Sequence, residues 1–234
     1  MRIRTKPWAR PELHACSFFV EQPETWQGKW RQHFSVNTQP LHLELGCGKG
    51  VFTAELAIQH PHINYLAVDI SMDILGVARR NIVNVYQQTP VRNLLLSCFN
   101  IEYIQQILNA EDQVDRLYIY FPNPWSRPRH KKRRLTHPRQ LEQYKTFLAP
   151  DAQIYFKTDD QGLFEESIGY LEQTGFCIDV VERDLHHSGY FDGLMSEHER
   201  MFSQEGIPIK FLIAHLPNPM AQGQLEDKGG SELC

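Results

Sequence analysis

Two patterns alternate along this chain: short runs dense in apolar residues, and stretches where apolar residues return every three or four positions. LHLEL (41–45) is of the first kind and predicts a strand. Beyond Gly50 the spacing predicts a helix with Phe52, Leu56 and Ile58 turned inward. INYLAV (63–68) is the next strand, ending at Asp69, and Ser71 or Asp73 stands where a helix cap belongs. The helix after it runs through Ile74, Leu75, Ala78, Ile82 and Val85. NLLLS (93–97) and DRLYIYF (115–121) continue the series, with helices expected over 138–148 and 161–173. AQIYFK (152–157), FCIDVVE (176–182) and IPIKFLIAHL (207–216) complete the strands. Strands alternating with helices imply βαβ units, hence an α/β fold with a mostly parallel sheet and helices on both faces.

A chain of 234 residues fits one large domain. The regular pattern spans 41–216; residues 1–40 form an N-terminal extension with no clear period, and 217–234 read as a flexible tail. No apolar run is long enough to span a bilayer. The basic start, MRIRTKPWAR, has no apolar segment after it, so no secretory signal is expected. The five cysteines (16, 47, 98, 177 and 234) show no CxxC pairing, which favours reduced thiols in a cytoplasmic protein over a disulfide framework. The histidines at 130, 186, 187 and 198 make neither HxxxH nor HEXXH, so no metal is expected. Monomer and homodimer both remain open.

The glycine loop brings in chemistry. LHLEL runs straight into GCGKG and then a helix, and Gly46, Gly48 and Gly50 let the backbone turn sharply and approach a ligand. Asp69, nineteen residues beyond Gly50, falls where a carboxylate accepts hydrogen bonds from ribose hydroxyls. A dinucleotide fingerprint would read GxGxxG; here the spacing is GxGxG, and Glu44 precedes the loop. A carboxylate there is poorly placed for a diphosphate and well placed for the ammonium and sulfonium charges of S-adenosylmethionine. A nucleotide-dependent oxidoreductase is the competing reading, and it leaves Glu44 without a role. Asn100, three residues past NLLLS, is suited to an adenine edge, though an ordinary Asx turn also accounts for it. Glu44, Asp69, Asn100 and Asn123 all lie at or just past the carboxyl ends of successive predicted strands, where open α/β sheets bind ligands.

Charge then adds a partner. The net charge of −4 excludes a histone-like coat, yet FPNPWSRPRHKKRRL (121–135) packs six cations, Arg127, Arg129, Lys131, Lys132, Arg133 and Arg134, into eight residues. Like charges this dense call for an anionic partner, and phosphates held there fix register without reading sequence. A smaller basic cluster is Arg2, Arg4, Lys6 and Arg10. Trp125 either stacks on an exposed base or packs under the loop.

RIRTKPW, LELGCGKG, FPNPWSRPRHKKRRL, YFKTDD and SEHERMFSQEGIPI, in that order, resemble the tRNA (guanine-N7-)-methyltransferase family over nearly all of the chain to about residue 215. The resemblance implies a Rossmann-like class I methyltransferase fold, S-adenosylmethionine as donor, and N7 of a guanosine in the tRNA variable loop as acceptor. It assigns Glu44, Asp69, Asn100 and Asn123 to the cofactor site, and Arg127, Asp159 and the segment Ser196, Glu197, His198, Glu199 to the substrate site. Asn123 stands where the family usually carries an aspartate, the usual candidate for the key catalytic group; Asn100 also replaces a common aspartate. Arg127 replaces a lysine, Pro128 another, and Ser196 and His198 stand for threonine and tyrosine.

Guanine N7 has a free lone pair, so the work expected of the protein is mostly positioning. The ring gains positive charge during transfer, and Asn123 would hold the base and face that charge through its amide oxygen. Guanine's N1–H and N2 amine are both donors that one carboxylate can accept from, with Asp159 and Glu199 as candidates. Asp159 is equally placed to cap the helix at 161. The alternative to an active enzyme is a non-catalytic or weakly active tRNA-binding paralogue that lost turnover with the aspartate.

Overall fold

The computed structural model describes residues 5–190 and 193–217. Its centre is an eight-stranded sheet: β1 (Phe19–Val20), β2 (Leu41–Leu45), β3 (Asn64–Asp69), β4 (Leu94–Cys98), β5 (Val114–Tyr120), β6 (Leu148–Thr158), β7 (Cys177–Glu182) and β8 (Lys210–His215). The order is β1-β4-β3-β2-β5-β6-β8-β7. Neighbours from β1 to β6 pair parallel, and β8 runs antiparallel to both β6 and β7. The helices are α1 (Ala9–His14), α2 (Val51–Gln59), α3 (Met72–Tyr86), α4 (Pro138–Tyr144), α5 (Gln161–Gln173) and α6 (Glu197–Gln204). α1, α2 and α3 pack together, as do α4 and α5, so the sheet is covered on both faces. That cover is why β2 and β3 are buried along almost every residue rather than on alternate ones.

The predicted strands all appear. Two expectations are corrected, and of the two caps offered for α3 one is chosen. Ile58 is exposed, in the last turn of α2 beyond buried Leu56 and Ala57. α4 stops at Tyr144 rather than 148, since Phe147 and Leu148 are drawn into the sheet; the Phe147 carbonyl accepts from the Val114 N–H at 2.8 Å. Ser71, not Asp73, caps α3, with its hydroxyl oxygen accepting from the Ile74 N–H at 3.4 Å. Asp73 accepts instead from the Lys6 N–H at 2.6 Å.

Residues 5–40 share the main core. Trp30 is fully buried and its indole N–H donates to the Ile107 carbonyl at 2.6 Å. The buried carboxylate of Asp112 accepts from the N–H groups of Gly28, Trp30 and Asn109 at 2.9–3.2 Å. Arg31 reaches the carbonyls of Gln39, Asp112 and Gln113 and the Asp115 carboxylate. β1 extends the sheet beside β4. Beyond Pro217, the tail expected over 217–234 lies outside the described residues.

Candidate active site

β2 sits between β3 and β5, so the chain leaves it in opposite directions on its two sides, and a crevice opens at the carboxyl ends. The glycine loop fills the mouth of that crevice. Gly46, Gly48 and Gly50 all have positive φ, between 53° and 78°. A Cβ on Gly46 or Gly48 would meet nothing within 4 Å, so both present bare backbone to the crevice; on Gly50 it would lie 2.8 Å from Ala78 Cβ, so Gly50 is there to let α2 pack on α3.

Two carboxylates border the loop. Asp69 accepts from the N–H groups of Gly48 (3.1 Å) and Ser71 (3.0 Å), and burial pushes its carboxyl up. Glu44 is buried on β2 between Ala67 and Tyr118 and accepts from the Thr53 hydroxyl of α2. Burial, with the nearby charge of Asp69, raises its pKa to about 8. Below that value the carboxyl keeps its proton, and a cation brought beside it would favour the ionised form. Ile70, 65% exposed, adds an apolar surface to the same rim. Asn100 follows β4, with its side-chain oxygen accepting from the Glu102 N–H at 3.1 Å, the Asx turn anticipated as its plain role.

β5 delivers FPNPW to the neighbouring position. Phe121 and Trp125 have φ of 50° and 41°, a conformation that costs an aromatic residue about 1–3 kcal/mol and persists only where neighbours hold it. Asn123, exposed between them, accepts from the Trp125 N–H at 3.0 Å. Its amide NH2 has no partner among the described residues. Trp125 packs under the loop: His130 meets it edge-on at 5.7 Å and the Arg133 guanidinium lies 5.2 Å from its ring. Pro128–Arg133 form a 3-10 turn, preceded by exposed Arg127. The six cations divide. Lys131 and Arg134 pair with Glu166 of α5 at 2.7–2.9 Å, and Arg134 is buried; Arg127, Arg129, Lys132 and Arg133 face solvent.

α6 is the opposite wall. Its eight residues, EHERMFSQ, carry too few apolar positions to signal a helix, which is why it was not expected. Ser196 caps it by accepting from the Glu199 N–H at 3.1 Å. Glu44, Gly46, Gly48 and Gly50 share one cleft with Ser196, Glu197 and His198. Lys49 of the glycine loop meets Glu197 at 2.6 Å, Arg200 meets Glu55 of α2 at 3.0 Å, and His198 stacks over Phe121. Glu199, one of the two carboxylates expected to meet the base, is engaged within the protein. It is 0% exposed, 3.3 Å from the ammonium of Lys157 (itself 4% exposed) and 3.0 Å from His186 Nε2. Asp159 is half-buried, its carboxylate without a partner among the described residues, because Asp160 caps α5 by accepting from the Leu163 N–H at 2.6 Å. Asp69, Asn100, Asn123, Arg127, Asp159 and Glu199 stand outside the lining of the cleft.

Sequence reasoning missed Thr53, Ile70, Lys157 and Glu166. Lys157 did carry a signal, a lysine inside an otherwise apolar strand; Glu166 carried none, being one acidic residue on a polar helix face.

A parallel α/β sheet with β8 inserted antiparallel, and a glycine loop and acidic residues at its switch point, defines the Rossmann-like class I methyltransferase fold. Residues 38–212 match a family model described as "Putative methyltransferase". The chain belongs to the tRNA (guanine-N7-)-methyltransferase family. It is 53% identical over 220 residues to the tRNA (guanine-N(7)-)-methyltransferase of Clostridium beijerinckii, covering 93% of this chain and 100% of that one. It is 50% identical over 225 residues to the same-named protein of Ruminiclostridium cellulolyticum, covering 95% of each. Among solved structures, an antibiotic-related methyltransferase superposes with a TM-score of 0.55 over 75% of this chain and 86% of its own, at 18% identity, a likeness of fold alone. Nothing in these comparisons favours the non-catalytic paralogue.

Proposed function

We propose that this protein transfers a methyl group from S-adenosylmethionine to N7 of a guanosine in the variable loop of tRNA. The observation that carries the reading is identity of 50% or more, over nearly the whole chain, to curated proteins named for that reaction. The donor set fits the cofactor: bare glycine backbone, Asp69 for a ribose, the apolar Ile70 surface, and Glu44 for a cationic end. When bound, S-adenosylmethionine supplies a methyl carbon attached to a positively charged sulfur.

The chain's own residues then have a short task. The N7 lone pair would take the methyl carbon, the bonding pair would stay on the sulfur, and the positive charge would pass to the guanine ring. Asn123 has one side-chain oxygen fixed by the Trp125 N–H and an NH2 group uncommitted, which suits it to orient the base and place a partial negative charge near the ring. Asp159 offers the free carboxylate for guanine's N1–H and N2 amine. Arg127, with Arg129, Lys132 and Arg133, holds phosphates. Ser196, Glu197 and His198 close the cofactor side, and Glu199 fixes them from behind. Reduced Cys16, Cys47, Cys98 and Cys177 suit a cytoplasmic setting, and among the described residues no helix is long and apolar enough to cross a membrane.

The test is methyl transfer from labelled S-adenosylmethionine to unmodified tRNA, followed by nucleoside digestion. Label in N7-methylguanosine is expected; label in another nucleoside would overturn the site assignment, and tRNA binding without incorporation would favour the paralogue.

A further inference from the structure

The turn that presents Asn123 is strained at both ends, at Phe121 and Trp125, so something must hold it. Five contacts do. The Phe121 N–H donates to the Lys157 carbonyl at 2.8 Å, and Asn123 caps the Trp125 N–H. His130 and Arg133 cover Trp125. The fifth is the Arg134 Nε–H, which donates to the carbonyl of Pro124, the residue next to Asn123, at 2.7 Å.

Arg134 is 3% exposed, and a buried guanidinium needs a counter-charge. Glu166 is that charge. One oxygen accepts from Arg134 at 2.9 Å, both accept from Lys131 at 2.7 and 2.8 Å, and the Tyr170 hydroxyl donates to it at 3.1 Å. The hydrogen bond from Lys131, with Tyr170 and the charge of Arg134 acting the same way, holds the Glu166 carboxyl below its ordinary range. Downstream, Thr136 and Ser167 share a 2.6 Å hydrogen bond that ties the far end of the loop to the same helix.

Resting on the proposed reaction, we infer that Glu166 is a positioning residue for methyl transfer: through Lys131 and Arg134 it clamps the basic loop to α5 and fixes the strained Phe121–Trp125 turn that carries Asn123. It divides the basic run into two tasks. Lys131 and Arg134 turn inward to set the geometry, and the other four cations stay exposed for the nucleic acid, Arg133 while also lying over the Trp125 ring. An exposed charge run would have every cation available; here two of the six are committed before any partner arrives.

The test uses the full chain with Glu166→Gln, Glu166→Asp and Arg134→Lys. Two readouts are independent. The first needs no activity: tryptic cleavage after Arg129, Lys132 and Arg133, at a temperature well below the unfolding of every variant, is expected to speed up in Glu166→Gln and to return toward wild type in Glu166→Asp. The second is steady-state methylation of unmodified tRNA. Glu166→Gln is expected to lower kcat by about 10-fold or more, as misplacement of a positioned group does, with KM for tRNA changed by less than about threefold. Arg134→Lys keeps the charge but loses the Pro124 contact, so it should lower kcat similarly, and the two changes combined should cost little more than either alone. Wild-type cleavage rates in Glu166→Gln would overturn the clamp. So would normal kcat with faster cleavage, or a loss confined to KM, since either would remove its catalytic purpose. If the wild type does not methylate tRNA, the proposed function fails, while the proteolysis arm still reads the clamp.

Discussion

At Asn123, the Oδ1 bond to the Trp125 N–H is one that an aspartate would also make. Asn123→Asp therefore keeps the turn and adds the charge the family usually carries. It is expected to raise kcat by about 3- to 10-fold, through better stabilisation of the positive ring; Asn123→Ala, which loses the turn, should lower it. Single-turnover rates at saturating S-adenosylmethionine decide this, and a slower Asn123→Asp would show that charge is not what limits the reaction. Glu44 gives a pH prediction. Its pKa rises from the ordinary 4.5 to about 8, so between those values the folded protein keeps a proton that the unfolded chain has lost. The stability it contributes is full below 4.5 and is lost as pH rises through about 8. Urea midpoints of the cofactor-free protein should fall across that window more steeply than those of Glu44→Gln; parallel curves would exclude Glu44 as the cause. The glycine spacing and the carboxylates were legible in the sequence because backbone turns and strand ends are local. Glu44's raised pKa was not, because burial is set by which helix covers β2.

Among the elements, α6 depends most on contacts remote in sequence. Its own residues give little reason to be helical, and it is held by Lys49–Glu197, Glu55–Arg200 and, beneath, by Lys157–Glu199. The first two are exposed pairs worth little singly. The third is buried, and removing one partner strands the other: Glu199→Gln should destabilise the protein by about 3 kcal/mol or more. The double variant Lys157→Met, Glu199→Leu should recover most of that, since apolar groups of similar size often replace a buried pair at no loss. Chemical denaturation of the three proteins checks this, and a double variant as weak as the single would mean that packing, not charge, governs the site. Strands β2 to β8 and helix α5 were legible from periodicity. α1, β1 and α6 were not, because each is short and takes its shape from the surface it docks on.

For the whole molecule, the net charge of −4 coexists with one outward basic face built from four residues rather than six. Salt dependence of tRNA binding should report that number. Arg129→Ala and Lys132→Ala are each expected to reduce the slope of log K against log salt by about 1. Lys131→Ala should reduce it less and loosen the loop instead; equal effects from all three would mean that Glu166 yields its cations to the nucleic acid. By itself, the sequence determined that the chain forms a parallel α/β sheet, where its glycine loop falls, that an anion is its partner, and the family to which it belongs. Those features are written in periodicity and short motifs, where each residue's preference is local. Only the tertiary structure decided that Glu199 is a buried anchor, that Asp160 rather than Asp159 caps α5, and that two of six cations pair with Glu166. Each of those depends on which charges meet across the fold, and the 32 residues separating Arg134 from Glu166 leave no trace of that meeting in the chain.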